Sequence, residues 1–128
     1  MAGVLRLQHT SIPMPADGRE AAQRFFGEAL GMTEVTPPST LEVDKLVWFK
    51  AGEDGHEVHV FTDDDVAHCS SAQHLCLEVD DIQAIRQRLS AHGIEIEETQ
   101  AIHNRPRFFV HDPFGNLIEI TQITGQYS

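Results

Sequence analysis

Four side chains of this sequence have the chemistry to bind one metal ion together: His9, His59, His74 and Glu119. His59 and Glu119 each stand four residues after the first glycine of two similar stretches, GHEVHVF and GNLIEI. Imidazole nitrogens and carboxylate oxygens bind divalent ions such as Zn, Ni, Fe(II) and Mn. Two histidines and one carboxylate leave coordination positions open, where substrate oxygens can bind and the ion can act as a Lewis acid.

Each of these residues also has an ordinary interpretation. A single histidine in a strand is more often hydrogen-bonded or exposed than metal-bound, and Glu119, between Ile118 and Ile120, could face water. His59 could be a fourth ligand, or an acid or base beside the ion, because imidazole titrates near neutral pH. Glu119 and His59 are therefore the candidate proton-transfer residues, and the case for a site depends on the set as a whole.

The same order of elements occurs twice along the chain. The first half reads as a strand, a helix and three strands, over residues 4–12, 19–30, 33–36, 46–50 and 57–61. The second half repeats this order, over residues 73–79, 81–92, 94–97, 107–111 and 117–121. A repeat of this kind usually packs two equivalent units around a shared core or site. We expect one α+β domain over residues 1–128. Its first module spans residues 1–63, an acidic linker spans 64–71, and the second module spans 72–128.

The repeat and the alternation of strands select the four residues in different ways. Successive side chains of a strand point to opposite faces, and His59, His74 and Glu119 each lie opposite the apolar residues of their strands. If the apolar faces are covered by helices, these three side chains can converge on the other side. His9 shares its face with two leucines, so only the repeat selects it, and a bulge would be needed to reconcile the two patterns.

Three further residues are candidates for contact with a substrate. Arg105 and Arg107 stand out in an acidic chain, and a guanidinium can bind a carboxylate or phosphate through two hydrogen bonds. A solvated turn is an equally good interpretation of both. Trp48 and Phe49 lie on opposite strand faces, so one should join the core and the other could line an apolar pocket.

Composition excludes several classes of partner. The net charge of −11 argues against nucleic acid and anionic membranes, which both favour basic surfaces. There is no run of about 18 apolar residues and no basic region followed by an apolar stretch, so we expect neither a membrane span nor a signal peptide. The two cysteines are expected to be free thiols in a reducing cytoplasm.

Several stretches resemble the vicinal oxygen chelate superfamily, which includes glyoxalases, bleomycin and fosfomycin resistance proteins and extradiol dioxygenases. They cover almost the whole chain: LQHTSIPMP, FFGEALGM, VWFKAGEDGHEVHVF, HLCLEVDDI and FFVHDPFGNLIEI. The resemblance implies two βαβββ modules that form an eight-stranded, cup-shaped mixed sheet with helices on its outer face. It also implies a homodimer, with the site at or near the subunit interface.

By the same resemblance, metal ligands come from the first and last strands of each module. These ligands are His9 and His59 in the first module, and His74 and Glu119 in the second. His59 stands where a glyoxalase I would carry Glu. The expected function is a divalent-metal-dependent lyase or isomerase of glyoxalase type, acting on a small molecule with two neighbouring oxygens. The alternatives are an Fe(II) extradiol-type ring-cleaving dioxygenase and a non-catalytic binder of a drug or metabolite, as in bleomycin resistance.

Overall fold

A computed structural model describes residues 2–65 and 71–127 of the chain, and the repeated order of elements is present in it. The first half contains β1 (His9–Met14), α1 (Arg19–Ala22) continued by a π-helix (Gln23–Ala29), β2 (Thr33–Val35), a short 3-10 turn (Val43–Lys45), β3 (Leu46–Lys50) and β4 (Glu57–Thr62). The second half contains β5 (Leu75–Glu78), α2 (Ile82–Ala91), β6 (Arg107–His111) and β7 (Leu117–Thr121). No helix in these ranges is long and apolar enough to cross a membrane.

Each half forms its own sheet, and the three strands of the second sheet are arranged like β1, β4 and β3 of the first. The first sheet has the order β1-β4-β3-β2, and the second has the order β5-β7-β6. In both, the opening strand lies parallel to the closing strand of the same half, and the other neighbours are antiparallel. The predicted α+β class and the repeat of its halves are therefore confirmed.

The described residues form seven strands in two sheets, and the expected eight-stranded cup is not confirmed. The predicted strand 94–97 is reduced to one bridge, between Glu97 and Phe109. Ile94 and Ile96 still pack on the core, but only Glu97 exchanges backbone hydrogen bonds with Phe109. The division of the chain at 64–71 stays a prediction, and residues 66–70 lie outside the described part.

The first strand begins later than residues 4–12 suggested. Its ladder starts at His9, opposite Glu57, because β4 begins there and offers no earlier partner. Val4 and Leu5 are consequently almost fully exposed. The strand continues through Pro13, which β1 accommodates because it is an edge strand and needs fewer backbone donors.

One apolar core joins the two halves. Alternate residues of the strands are buried in it, among them Val58 and Val60 of β4 and Ile118 and Ile120 of β7, and the helices contribute Phe25, Phe26 and Leu89. Arg88 of α2 also donates through Nε to the carbonyl of Ala29, at 2.7 Å. Because one face of each closing strand is committed to the core, the side chains of His59 and Glu119 lie on the opposite face, as the alternation predicted.

A buried aspartate closes the β6–β7 connection. Oδ1 of Asp112 accepts hydrogen bonds from the backbone amides of Phe114 and Asn116, at 2.9 and 2.8 Å, and Oδ2 accepts from Asn116 Nδ2 at 2.7 Å. Asn116 Nδ2 also donates to the carbonyl of Pro13, at 3.1 Å, which ties this turn to the first half. Burial is the main cause that raises the pKa of Asp112, and the hydrogen bonds oppose it.

Replacing Asp112 by alanine should therefore destabilise the whole domain. Two backbone amides lose their acceptor, and an unsatisfied buried donor typically costs about 1–3 kcal/mol. We expect Asp112→Ala to lower the free energy of unfolding, measured with urea, by an amount in this range. Asp54→Ala, in an exposed turn of the first half, is the matched control, and equal values for the two variants would contradict this role for Asp112.

Candidate functional site

In the first sheet, two aromatic rings stack on the imidazole of His59. Its imidazole lies against Trp48, with 3.6 Å between ring centroids and 2° between ring planes, and against His9, with 4.1 Å and 18°. Nε2 of His59 donates to Oε1 of Glu57 at 2.8 Å. Since both neighbours are nearly parallel to the ring, they cover its two opposite faces, and only 8% of His59 is exposed.

In the second sheet, Glu119 receives two partners. Nε2 of His74 lies 3.0 Å from Oε1 of Glu119, and Nη1 of Arg107 lies 3.4 Å from Oε2. The Arg107 guanidinium is held in place by the carbonyl of Gln100, to which Nε and Nη2 donate at 3.2 and 2.9 Å. His74 also packs edge-on against Phe109, so this face combines a histidine, a carboxylate and a cation.

Strand register explains why the two sheets present similar sites. Trp48 of β3 is the direct neighbour of His59 on β4, and Phe109 of β6 is the direct neighbour of Glu119 on β7. Directly opposite residues on paired strands share a face and contact one another. Each half therefore places an aromatic ring beside the polar residue of its closing strand.

The four predicted ligands form two pairs and do not form one cluster. Across residues 2–65 and 71–127, no three His, Cys, Asp or Glu side chains lie close enough to hold one ion. His9 and His59 belong to the first sheet, and His74 and Glu119 to the second. The described part of a single chain thus presents two separate candidate half-sites, His9 with His59 and His74 with Glu119.

The donor chemistry of the half-sites fits a divalent ion. His9 donates from Nδ1 to Oε1 of Gln8 at 2.7 Å, and His74 donates from Nδ1 to the carbonyl of Ala72 at 2.8 Å. With His59 bonded to Glu57, each of the three imidazoles gives one N–H to a protein oxygen. The second nitrogen of His9 and of His59 is left as a lone pair, whereas the second nitrogen of His74, Nε2, faces Oε1 of Glu119 at 3.0 Å. Metal-binding histidines show this pattern, because the outer hydrogen bond sets the tautomer and the ring orientation.

The three candidate substrate contacts have different surroundings. Arg107 lies beside Glu119, whereas Arg105 donates to the carbonyls of Asn104 and Gly125 and stacks on Tyr127, with 4.1 Å from its guanidinium carbon to the ring centroid. Arg105 thus holds the C-terminal segment in place. Trp48, with His59, lines a cleft of about 440 Å³ whose other walls include Leu41, Leu46 and Phe61.

Sequence reasoning did not select Gln8 and Glu57, which hold His9 and His59. The signal for Glu57 was present, because residues two apart on a strand share a face and can contact each other. Gln8 gave no such signal, because it precedes β1 and strand alternation does not apply to it. Its hydrogen bond with His9 joins two adjacent residues.

Comparison with known proteins identifies the family. Residues 6–120 match the Glyoxalase/Bleomycin resistance protein/Dioxygenase superfamily. A glyoxalase family protein from Bacillus anthracis is 30% identical, with 96% of this chain and 98% of that chain covered and a TM-score of 0.85. The chain therefore belongs to this superfamily, as its sequence resemblance predicted.

Two more distant structures share the fold. A lactoylglutathione lyase from Agrobacterium tumefaciens is 21% identical over 91% of this chain and 92% of that chain, with a TM-score of 0.66. A genomically encoded fosfomycin resistance protein from Listeria monocytogenes is 16% identical over 98% of this chain and 94% of that chain, with a TM-score of 0.71. No curated protein sequence matches the chain.

The Glu57–His59 contact should make part of the stability depend on pH. The hydrogen bond from His59 is the main cause that lowers the pKa of Glu57 below 4.5, and burial opposes it. A carboxyl group whose pKa is lower in the folded state stabilises the fold above its unfolded pKa, and this contribution is lost as the pH falls through the folded pKa. The wild type should therefore exceed Glu57→Gln in unfolding free energy near neutral pH.

This difference should shrink as the pH falls from about 6 to about 3, measured by urea denaturation at each pH. Glu53→Gln, which removes a carboxylate from an exposed turn of the same half, is the control for the loss of one negative charge. A difference between wild type and Glu57→Gln that stays constant over this range would show that the carboxylate is not linked to folding in this way.

Proposed function

We propose that this protein is a divalent-metal-dependent enzyme of glyoxalase type, a lyase or isomerase acting on a small molecule with two neighbouring oxygens. The observation that carries this proposal is the set of hydrogen bonds that leaves a lone-pair nitrogen on His9 and on His59, together with the contact of His74 with the Glu119 carboxylate. His9, His59, His74 and Glu119 together form a ligand set suited to Zn, Ni, Fe(II) or Mn. A bound ion would supply Lewis-acid stabilisation of an oxyanion or enolate on the substrate.

The residues of the chain then have distinct roles. His9 and His74 would hold the ion, and Glu119 would be a ligand whose Oε1 or Oε2 could also take a proton from the substrate. His59 would be a fourth ligand or the second proton-transfer group. Arg107, fixed by Gln100 beside Glu119, would bind an anionic oxygen of the substrate, and Trp48 would contact an apolar part of it.

We infer further that a second copy of the chain completes each site. His9 lies at the start of β1, and His74 lies directly before β5. Among the described strands, β1 and β5 each pair with a neighbour on one side only. An unpaired strand edge is a template for pairing with another chain. Val4, Leu5 and Leu7, which lead into β1, expose apolar side chains that a partner would cover. A homodimer would thereby join the first half-site of one chain to the second half-site of the other.

Metal content tests the proposed ligand set. Freshly purified untagged protein should contain a near-stoichiometric divalent metal by plasma mass spectrometry, and His74→Ala and Glu119→Gln should contain only traces. At about 100 times its Kd, the metal should stabilise the wild type by about 2.7 kcal/mol, and these variants much less. His103→Ala, at an exposed position, is the control. Absence of metal even after reconstitution would overturn the proposal and favour a non-catalytic ligand-binding protein.

A mixing experiment tests the shared site. His9→Ala and His74→Ala each damage every site of their own homodimer. If the sites are shared between chains, unfolding and refolding an equal mixture creates heterodimers with one intact site, so that about a quarter of the wild-type metal content returns. If each site lies within one chain, mixing restores nothing. The same mixture without refolding controls for contamination.

A second enzyme class is favoured by one contact. If His59, held by Glu57, is the proton-transfer group beside the ion, then the donors His9, His74 and Glu119 form the two-histidine, one-carboxylate set of non-haem Fe(II) oxygenases. Iron as the bound metal, with oxygen consumption on addition of catechol, would support an extradiol-type ring-cleaving dioxygenase. Zinc or nickel with no oxygen consumption would support the glyoxalase-type reaction.

A further inference from the structure

The cleft of about 440 Å³ beside His59 has one side that lies outside the strands. Its floor contains two pairs of directly opposite residues on β3 and β4, Leu46 with Phe61 and Trp48 with His59. Its other side is the wall segment, residues 41–45, which comes directly before β3. The cleft therefore lies between a sheet face and a connecting segment that contributes nothing to the proposed ligand set.

The wall segment is held in place by the first helix. Nη2 of Arg19, the first residue of α1, donates to the carbonyls of Val43 and Leu46, at 3.0 and 2.9 Å. These two carbonyls lie at the two ends of the short 3-10 turn. Within the segment, the backbone amide of Lys45 also donates to the carbonyl of Glu42, at 3.0 Å. The wall segment thus has a defined position beside the cleft.

Beside His59, the floor of the cleft offers only hydrocarbon to a ligand. Nε1, the one polar atom of the Trp48 side chain, is buried and has no hydrogen-bond partner among the described residues. Any part of this side chain that a ligand can reach is therefore carbon, as it is for Leu46 and Phe61. An unpaired buried donor typically costs about 1–3 kcal/mol, and phenylalanine would avoid this cost, so stability does not explain the larger indole ring.

The two charged side chains of the wall segment that line the cleft are paired with each other. Nζ of Lys45 lies 2.9 Å from Oε2 of Glu42. A charged group that entered the cleft would lose water without gaining an unpaired counter-charge from this pair. The apolar contribution of the wall is Leu41, whose side chain lines the cleft and is 46% exposed. The cleft therefore matches an uncharged, apolar group and opposes a carboxylate or an ammonium group.

We propose that the wall segment and the floor form a subsite for an uncharged aromatic or branched aliphatic group, and that Leu41 is the specificity-determining residue. His59 belongs both to the cleft and to the first half-site, so a molecule bound here reaches the proposed metal ligands. The substrate class is then a small molecule with two neighbouring oxygens at one end and an uncharged hydrocarbon group at the other. This use of the subsite rests on the proposed function, whereas binding of the hydrocarbon group requires no metal.

Trp48 reports directly on the cleft, because it is the one tryptophan of the chain. Its indole N–H gives a single peak in nitrogen–proton NMR spectra of ¹⁵N-labelled, metal-free protein. Benzyl alcohol should shift this peak in a saturable way. Benzylamine and benzoate have a similar size and are charged at neutral pH, so they should need concentrations at least about tenfold higher, because an unpaired charge that leaves water costs more than a tenfold change in Kd represents.

Exchange of one wall residue should change this preference. Leu41→Lys places a cation at the cleft, so benzoate should bind about two- to fivefold more tightly than to the wild type, the range of an exposed ion pair, and benzyl alcohol more weakly. Leu41→Ala should weaken benzyl alcohol without any gain for benzoate. Val43→Lys and Val43→Ala are the matched controls and should change neither probe, because Val43 is 41% exposed on the same segment but is not among the described residues that line the cleft.

Three results would overturn the proposal, with backbone amide spectra showing that each variant is folded. The first is a Trp48 peak that responds to benzoate or benzylamine as readily as to benzyl alcohol. The second is the absence of a saturable shift with all three probes. The third is a Trp48 peak that changes with protein concentration alone, accompanied by a change of oligomeric mass in Leu41→Lys, which would assign the cleft to a second copy of the chain.

Failure of this subsite and failure of the proposed function are distinguishable, because the probes are titrated without metal. If the protein takes up no metal but binds benzyl alcohol with the expected preference, the proposed function fails and the subsite stands. If it takes up metal but benzyl alcohol leaves the Trp48 peak unchanged, the subsite alone fails.

Discussion

The parallel pairing of the opening and closing strands within each half is the constraint on which the rest of the structure depends. It places β4 and β7 inside their sheets, with Val58, Val60, Ile118 and Ile120 committed to the core. Because successive side chains of a strand alternate between its two faces, burial of these residues places the side chains of His59 and Glu119 on the opposite face. A carboxylate between two isoleucines is thus a direct result of a strand whose other face must be apolar.

The same pairing leaves the histidine-bearing ends of the two halves at sheet edges. β1 and β5 each have a neighbour on one side only, so the polar groups that a cup would gather lie on two separate sheets. The core buries the apolar faces of the strands within one chain, and α2 contacts the end of the π-helix there. The polar faces lie outside this core, and this difference between apolar and polar faces motivates the proposed dimeric site.

Much of the fold followed from pattern alone, and the exceptions have physical causes. The repeat, both helices and the strands β3, β4, β6 and β7 were predicted near their observed positions, because apolar periodicity and turn residues are local signals. The late start of β1 and the absence of a full strand at 94–97 were not predicted, because a strand forms only where a partner strand offers backbone groups. That condition depends on distant residues.

The sequence by itself determined which residues carry the chemistry and on which strand faces they lie, since residue type and the two-residue period of a strand are local properties. Only the tertiary structure decided which of them meet. It separated His9 and His59 from His74 and Glu119, placed Arg107 beside Glu119 and Arg105 beside Tyr127, and engaged Gln8 and Glu57 as hydrogen-bond partners. The reason is that contacts between strands depend on register, on sheet order and on which edges stay unpaired, and a single strand's sequence specifies none of these.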